Sequence, residues 1–353
     1  MTTEAWQQRH HEASRALIQQ GSQALRQNDL QLAQRALSEA AIILDMAFYE
    51  ENEVTKLRAQ AFNELGVVHQ RAGDLESSRG FHDQSAKMCD ILLENGVDEF
   101  RGNSAATHLN LASVCATIGD MDAANTAAER SISVVELMLE DAGEGVANLG
   151  TASYQTLASV RAHREDVAGA GEAMRRAIEL AQIGIDAGQT SLYANIAQGC
   201  QQLSVILFQN DEFDSAFEWG REAERLSETA FEEVGQDTLP IYIVSQINLI
   251  SFSEQTGKFS AAEDSLWKAV EVIGNDARLL KRGKDFYEYC RKQADKRLTE
   301  GDLPRAEVES GYADLLERIE EIGGIPDDLE DPVYEGDDEP QAFLTSDDEG
   351  ESE

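Results

Sequence analysis

The chain has 353 residues, 42% of them hydrophobic, and only five prolines. It is long enough to bury a sizeable core and poor enough in proline to be helical almost throughout. With 67 acids against 29 bases its formal charge is −38, which would repel a phosphate backbone; bare nucleic acid is disfavoured as a partner class and a basic protein or peptide is favoured.

No apolar run approaches the ~18 residues of a membrane span. The start, MTTEAWQQRHHEASR, lacks the basic residues and apolar stretch of a secretory signal. The expectation is a soluble cytoplasmic protein, with a nuclear location also compatible. The acidity would also suit a halophilic source, although the excess of Glu over Asp argues weakly against one.

In chain order, the same element keeps returning. ATIGDMDAANTAAERSIS at 116–133 is echoed by EQTGKFSAAEDSLWKAVE at 254–271. Taking the alanine five residues after the glycine as a marker gives Ala33, Ser78, Ala124, Ala170, Ala216, Ala262 and Ala306, at steps of 45, 46, 46, 46, 46 and 44. Seven residues on stands a second small residue: Ala40, Ser85, Ser131, Ala177, Ala223, Ala269 and Ala313. Twelve residues upstream lies a third: Gly21, Gly66, Ala112, Ala158, Ser204 and Ala294, interrupted only by Ile250. A turn pair precedes each marker, Asn28-Asp29, Gly73-Asp74, Gly119-Asp120, Glu165-Asp166, Asp211-Glu212, Gly257-Lys258 and Gly301-Asp302, followed by an apolar residue.

These columns have physical causes. A glycine ends one helix because it tolerates left-handed backbone, and an aspartate caps the next. Small residues seven apart share a helix face, so two helices can approach closely there. The unit is a helical hairpin, and about seven copies stack so that each buries its face on its neighbours. Glycines at Gly96, Gly143 to Gly145, Gly188, Gly235 and Gly274 separate the hairpins, giving arms of about 20 residues, or ~30 Å. The boundary around residues 45–56 carries no such glycine.

The pattern Leu-[Gly/Ala]…Gly-Asp-[apolar]…Ala…Ala resembles the tetratricopeptide (TPR) repeat family, from about residue 5 to 322. The period exceeds the usual ~34 residues, and the closing proline is absent. Among long-repeat members the chain is similar to the kinesin-light-chain type, whose asparagine-leucine helix and Gly-aromatic turn NLASVCATIGDMDAA and NLISFSEQTGKFSAA echo. The resemblance implies an all-α, right-handed superhelical solenoid. It also implies that first helices line a concave groove which binds proteins rather than catalysing reactions. The expected organisation is a repeat domain over 1–322 and an acidic, disordered tail over 323–353.

On that face, one column reads Gln19, Glu64, Asn110, Thr156, Gln202 and Asn248. Amides can donate to and accept from an extended peptide. One turn on come small residues, among them Ser113, Ser159 and Ser251, which would leave room for a ligand. The alternative is a solvated helix face. The lysines that some family members use to grip a terminal carboxylate are replaced by Ile18, Gln60 and similar residues.

Residues 278–297 hold eight bases, Arg278, Lys281, Arg282, Lys284, Arg291, Lys292, Lys296 and Arg297, against three acids. They read either as a docking site for an acidic segment or as a solvated helix with pairs such as Glu288–Lys292. The last 31 residues hold thirteen acids, no base and three prolines, which cannot bury enough surface to fold alone. This tail could solubilise the chain, fold back through Leu329, Val333, Tyr334, Phe343 or Leu344, or shield a cationic partner. Ser346, in SDDE, suits an acid-directed kinase.

Four scattered cysteines read as reduced, half-buried thiols. Trp219, Trp267 and Tyr242 read as core, as do His69, His82 and Cys115. No phosphate-binding, nucleophile or metal-ligand motif is present, so neither cofactor, metal nor catalytic residue is expected. The leading reading is a non-enzymatic adaptor for a protein or peptide; the alternative is a chaperone for basic, histone-like cargo. The sequence leaves the oligomeric state open.

Overall fold

The computed structural model describes residues 3–46, 52–142, 146–326 and 329. Among them all regular structure is helical, in fifteen α-helices: α1 (Thr3–Arg26), α2 (Leu30–Asp45), α3 (Asn52–Arg71), α4 (Leu75–Glu94), α5 (Arg101–Thr117), α6 (Met121–Ala142), α7 (Ala147–His163), α8 (Val167–Asp186), α9 (Ser191–Gln209), α10 (Phe213–Val234), α11 (Leu239–Thr256), α12 (Phe259–Ile273), α13 (Ala277–Arg291), α14 (Asp295–Glu300) and α15 (Arg305–Glu321). In chain order they follow the seven repeats read from the sequence, the last holding α13, α14 and α15. The chain divides into two compact units after Val160, within α7.

Every hairpin turns the same way at the backbone. One residue per turn is left-handed: Asn28, Gly73, Gly119, Glu165, Asp211, Gly257 and Asp302, with φ between 54° and 84°. The following N–H reaches back five residues, as in Asp29 to Ala24, Asp120 to Cys115, Lys258 to Ser253 and Leu303 to Leu298, at 2.8–3.1 Å. This bond satisfies a carbonyl that the ending helix leaves without a partner. Asp29, Asp74, Asp120 and Asp166 then accept from the N–H three residues on, at 3.0–3.2 Å. Glu212 and Lys258 make no side-chain cap bond.

In the N-terminal unit the small columns are buried at helix contacts, as the spacing predicts, and the serines among them also form bonds. Ser78 donates to the Gly66 carbonyl at 2.8 Å, Ser85 to Ala59 at 2.6 Å and Ser131 to Ala105 at 2.8 Å. The Ser131 hydroxyl also lies 2.8 Å from that of Ser153, so one side chain ties α6 to both α5 and α7. First helices also pack directly on one another, α1 on α3 and α3 on α5. That places them on the tighter side of the stack.

In the C-terminal unit α9 packs on α11 and α11 on α13 in the same way. Ala170, Ala216 and Ala262 are buried, as are Ala177, Ala223 and Ala269. The seventh hairpin departs from the sequence reading. Ala294, Ala306 and Ala313, expected at helix contacts, are all exposed. Val308 and Leu315 are buried in the last pair's place, 46 residues after Ala262 and Ala269. The rhythm therefore persists, and alignment on Gly301-Asp302 runs two residues early.

The reason is local. Gly301 is not the turn residue (φ −93°); Asp302 is, at φ 54°. Pro304, which has no N–H to leave unpaired, then stands as the N-cap of α15. Gly301 is instead pressed on the preceding turn: a β-carbon there would fall 2.3 Å from the Gly257 carbonyl. The Ser260 N–H donates to its carbonyl at 3.0 Å. Upstream, α13 stops at Arg291, and Ala294 is extended (ψ 144°).

Candidate functional site

The column expected to line the inner face occupies three environments. Gln19 on α1 is exposed. Glu64 on α3 and Asn110 and Ser113 on α5 are buried, at 0%, 2% and 5% exposure, which corrects their reading as open surface. The polarity of Glu64 and Asn110 serves neighbouring helices instead. The Ser22 hydroxyl lies 2.7 Å from both Glu64 carboxylate oxygens. Asn110 Nδ2 donates to Asn63 Oδ1 at 3.1 Å, and that oxygen also meets His82 Nδ1 at 3.0 Å. Thr156 and Ser159 on α7 are partly exposed.

In the C-terminal unit Gln202, Asn248 and Ser251 are also partly exposed. Asn248 Nδ2 is shielded from solvent and lacks a hydrogen-bond partner. One turn on, Ser251 Oγ donates to the Ile247 carbonyl at 3.1 Å and accepts from Arg282 Nε at 3.3 Å. Arg282 is also paired with Glu254 at 2.8 Å. The amide column and the basic segment thus meet where α11 packs on α13.

Most cations of that segment are engaged within their own unit. Arg278 pairs with Asp276, Lys284 with Glu288, Arg291 with Glu309 and Lys296 with Glu300. The pair expected between Glu288 and Lys292 is replaced by Lys284–Glu288. Arg291 lies over the Tyr312 ring, and Arg297 over Phe259 and Tyr289. Lys292 is exposed. Lys281 Nζ donates to the main-chain carbonyl of Leu329 at 3.1 Å. Val333, Tyr334, Phe343, Leu344 and Ser346 lie outside the described residues.

The remaining polar candidates are structural. His82 is fully buried, and loss of hydration lowers its pKa to about 3. His69 stacks on Phe81 and bonds Asp74 at 3.1 Å. Tyr242 is fully buried, whereas Trp219 and Trp267 are half-buried. All four cysteines are free and fully buried rather than half-buried; burial pushes the Cys89 and Cys290 thiols up to about 12. Among the described residues no group of three or more His, Cys, Asp or Glu could hold a metal. No helix there is long and apolar enough to cross a membrane.

One buried network escaped the sequence reading. Ser265 donates to Glu224 at 3.2 Å and also bonds Gln246. Loss of hydration raises the Glu224 pKa. A signal existed: Glu224 stands eight residues after its marker, where other repeats carry Ala41, Ala86, Ile132, Ile178 and Val270.

A family of unknown function (DUF6483) matches residues 185–320. No curated protein matches the chain. Among solved structures, the S. pombe nuclear import adaptor Nro1 is 11% identical, with a TM-score of 0.52 over 80% of this chain and 98% of that one. BtubC (BKLC) from P. vanneervenii is 18% identical, with a TM-score of 0.45 over 65% and 91%. A Podosopora anserina kinesin-light-chain protein of TPR-like repeats is 14% identical, with a TM-score of 0.43 over 64% and 99%. With its 46-residue rhythm, common turn and buried small columns, the chain has a tetratricopeptide-type helical-hairpin fold.

Proposed function

We propose that this protein is a non-enzymatic scaffold that holds a peptide or helical segment of a partner protein against its first helices. The observation that carries the reading is Asn248. Its amide nitrogen has no partner in the protein, and it sits on the side of the stack where first helices meet. An unpaired buried donor is costly, and a turn of this partly exposed side chain would present it to a partner's main-chain carbonyl. Gln202 occupies the same column on α9. Nro1, of like fold, is described as a nuclear import adaptor, the kind of role proposed.

The test is affinity purification with Gln202→Ala and Asn248→Ala combined, both partly exposed positions whose loss should leave the fold intact. Partners captured by the wild-type chain should be lost or much reduced. Undiminished capture by the double variant would remove this face from consideration.

A second reading rests on the charge of −38 and the base-free last 31 residues: a chaperone shielding basic proteins, with the tail leading. Histone binding that is unchanged after neutralising the thirteen tail acids would rule out that role. Either reading places the protein among protein partners in the cytoplasm or nucleus, away from bare nucleic acid and membranes.

A further inference from the structure

Behind α15 the chain does not simply leave the fold. Ile325 and Leu329 are half-buried whereas Pro326 is exposed. The Leu329 N–H turns back to the Pro326 carbonyl at 3.2 Å, and the Leu329 carbonyl accepts from Lys281 Nζ at 3.1 Å. Lys281 belongs to α13, which carries five bases and two acids, the largest positive excess of any helix among the described residues. Residues 325–337, IPDDLEDPVYEGD, carry six acids and no base.

We propose that the face shared by α13 and α11 is a docking site for an acidic segment with aliphatic anchors, and that its occupant is this chain's own stretch 325–337. The inference rests on reading the first-helix side as a binding surface, and it names what competes there. Recognition is by backbone as much as by charge. Arg278, Arg282 and Lys284 already face Asp276, Glu254 and Glu288, and Lys281 holds a carbonyl of the segment. Eight residues beyond Leu329 can span up to about 28 Å, ample to run from α13 onto α11. There the Asn248 amide has a hydrogen to donate and nothing to receive it. A partner using Asn248 would have to displace the segment.

The experiment uses the full chain and needs no partner. A zero-length carbodiimide couples lysine amines to carboxylates in contact, and mass spectrometry locates the joins. Joins from Lys281 and Lys284 to carboxylates within 327–337 should exceed those from Lys56 and Lys87, in the other unit, by about fivefold. They should fall about threefold in high salt, where ionic contacts are screened, or with excess synthetic peptide of residues 323–353. Joins spread evenly over the lysines, concentrated on Lys56 and Lys87, or indifferent to the peptide would overturn the proposal. Partner capture that depends on Gln202 and Asn248 would stand even then, so the two readings fail separately.

Discussion

Gly66 and His82 are packed face to face: a β-carbon on the glycine would fall 2.5 Å from the imidazole. Gly21 and Leu37 meet in the same way one repeat earlier. The small site on a first helix is thus matched to whatever stands four residues after the marker on the second. Gly66→Ala should therefore cost about 1–3 kcal/mol through overpacking, despite alanine's better helix propensity. Adding His82→Ala should recover part of that loss, because the third repeat carries Ala112 and Ala128 at these positions. Urea denaturation of the two singles and the double would show the coupling; additive effects would mean that the residues do not touch.

The same histidine gives the fold a pH dependence. Burial holds His82 neutral down to about pH 3, whereas in the unfolded chain it protonates near ~6.5. The unfolded state then binds more protons, so stability falls as the solution is acidified below the unfolded value, by up to about 1.4 kcal/mol per pH unit. Between about pH 6.5 and 5 ordinary carboxylates scarcely titrate. His82→Leu, which copies the pairing of Leu37 with Gly21, should flatten the stability profile in that window. A slope unchanged by the substitution would assign the effect elsewhere.

Much of this architecture was legible because its causes are local. Turn residues, caps and small side chains act within one or two helical turns of their own position, so a single sequence displays them in register. The seventh hairpin was misaligned because Gly301 resembles a turn glycine but serves as a close contact to Gly257. The one local sign is Pro304, where the other six repeats carry no proline. The surface was less legible still. Glu64 and Asn110 look like groove residues by position, yet each finds partners on neighbouring helices, and partners more than 40 residues away leave no mark on local spacing.

The turns are also where stability can be gained. Glu165 and Asp211 hold left-handed backbone at φ 62°, which costs a residue with a β-carbon about 1–2 kcal/mol. Glycine occupies the same position as Gly73, Gly119 and Gly257 at no such cost. Glu165→Gly and Asp211→Gly should each stabilise the fold by about 1 kcal/mol, less what the freer unfolded chain takes back. Gly119→Ala should destabilise by a similar amount. Melting temperatures that move the other way would show that side-chain contacts, and not backbone strain, decide these positions.

The basic segment separates two kinds of ion pair. Arg282 and Glu254 bridge α13 and α11 with side chains only 17% and 15% exposed, and Arg282 also donates to Ser251. Removing one partner leaves a poorly hydrated charge, so Arg282→Ala should cost about 2 kcal/mol or more. Lys296 and Glu300, 87% and 65% exposed, form a pair within one helix, and Lys296→Ala should change stability by no more than about 0.5 kcal/mol. Each substitution removes one positive charge, so long-range attraction to the rest of this acidic chain is weakened alike. Equal losses in chemical denaturation would mean that overall charge governs the segment. A large loss confined to Arg282 would mean that α13 is held by the Glu254 contact itself.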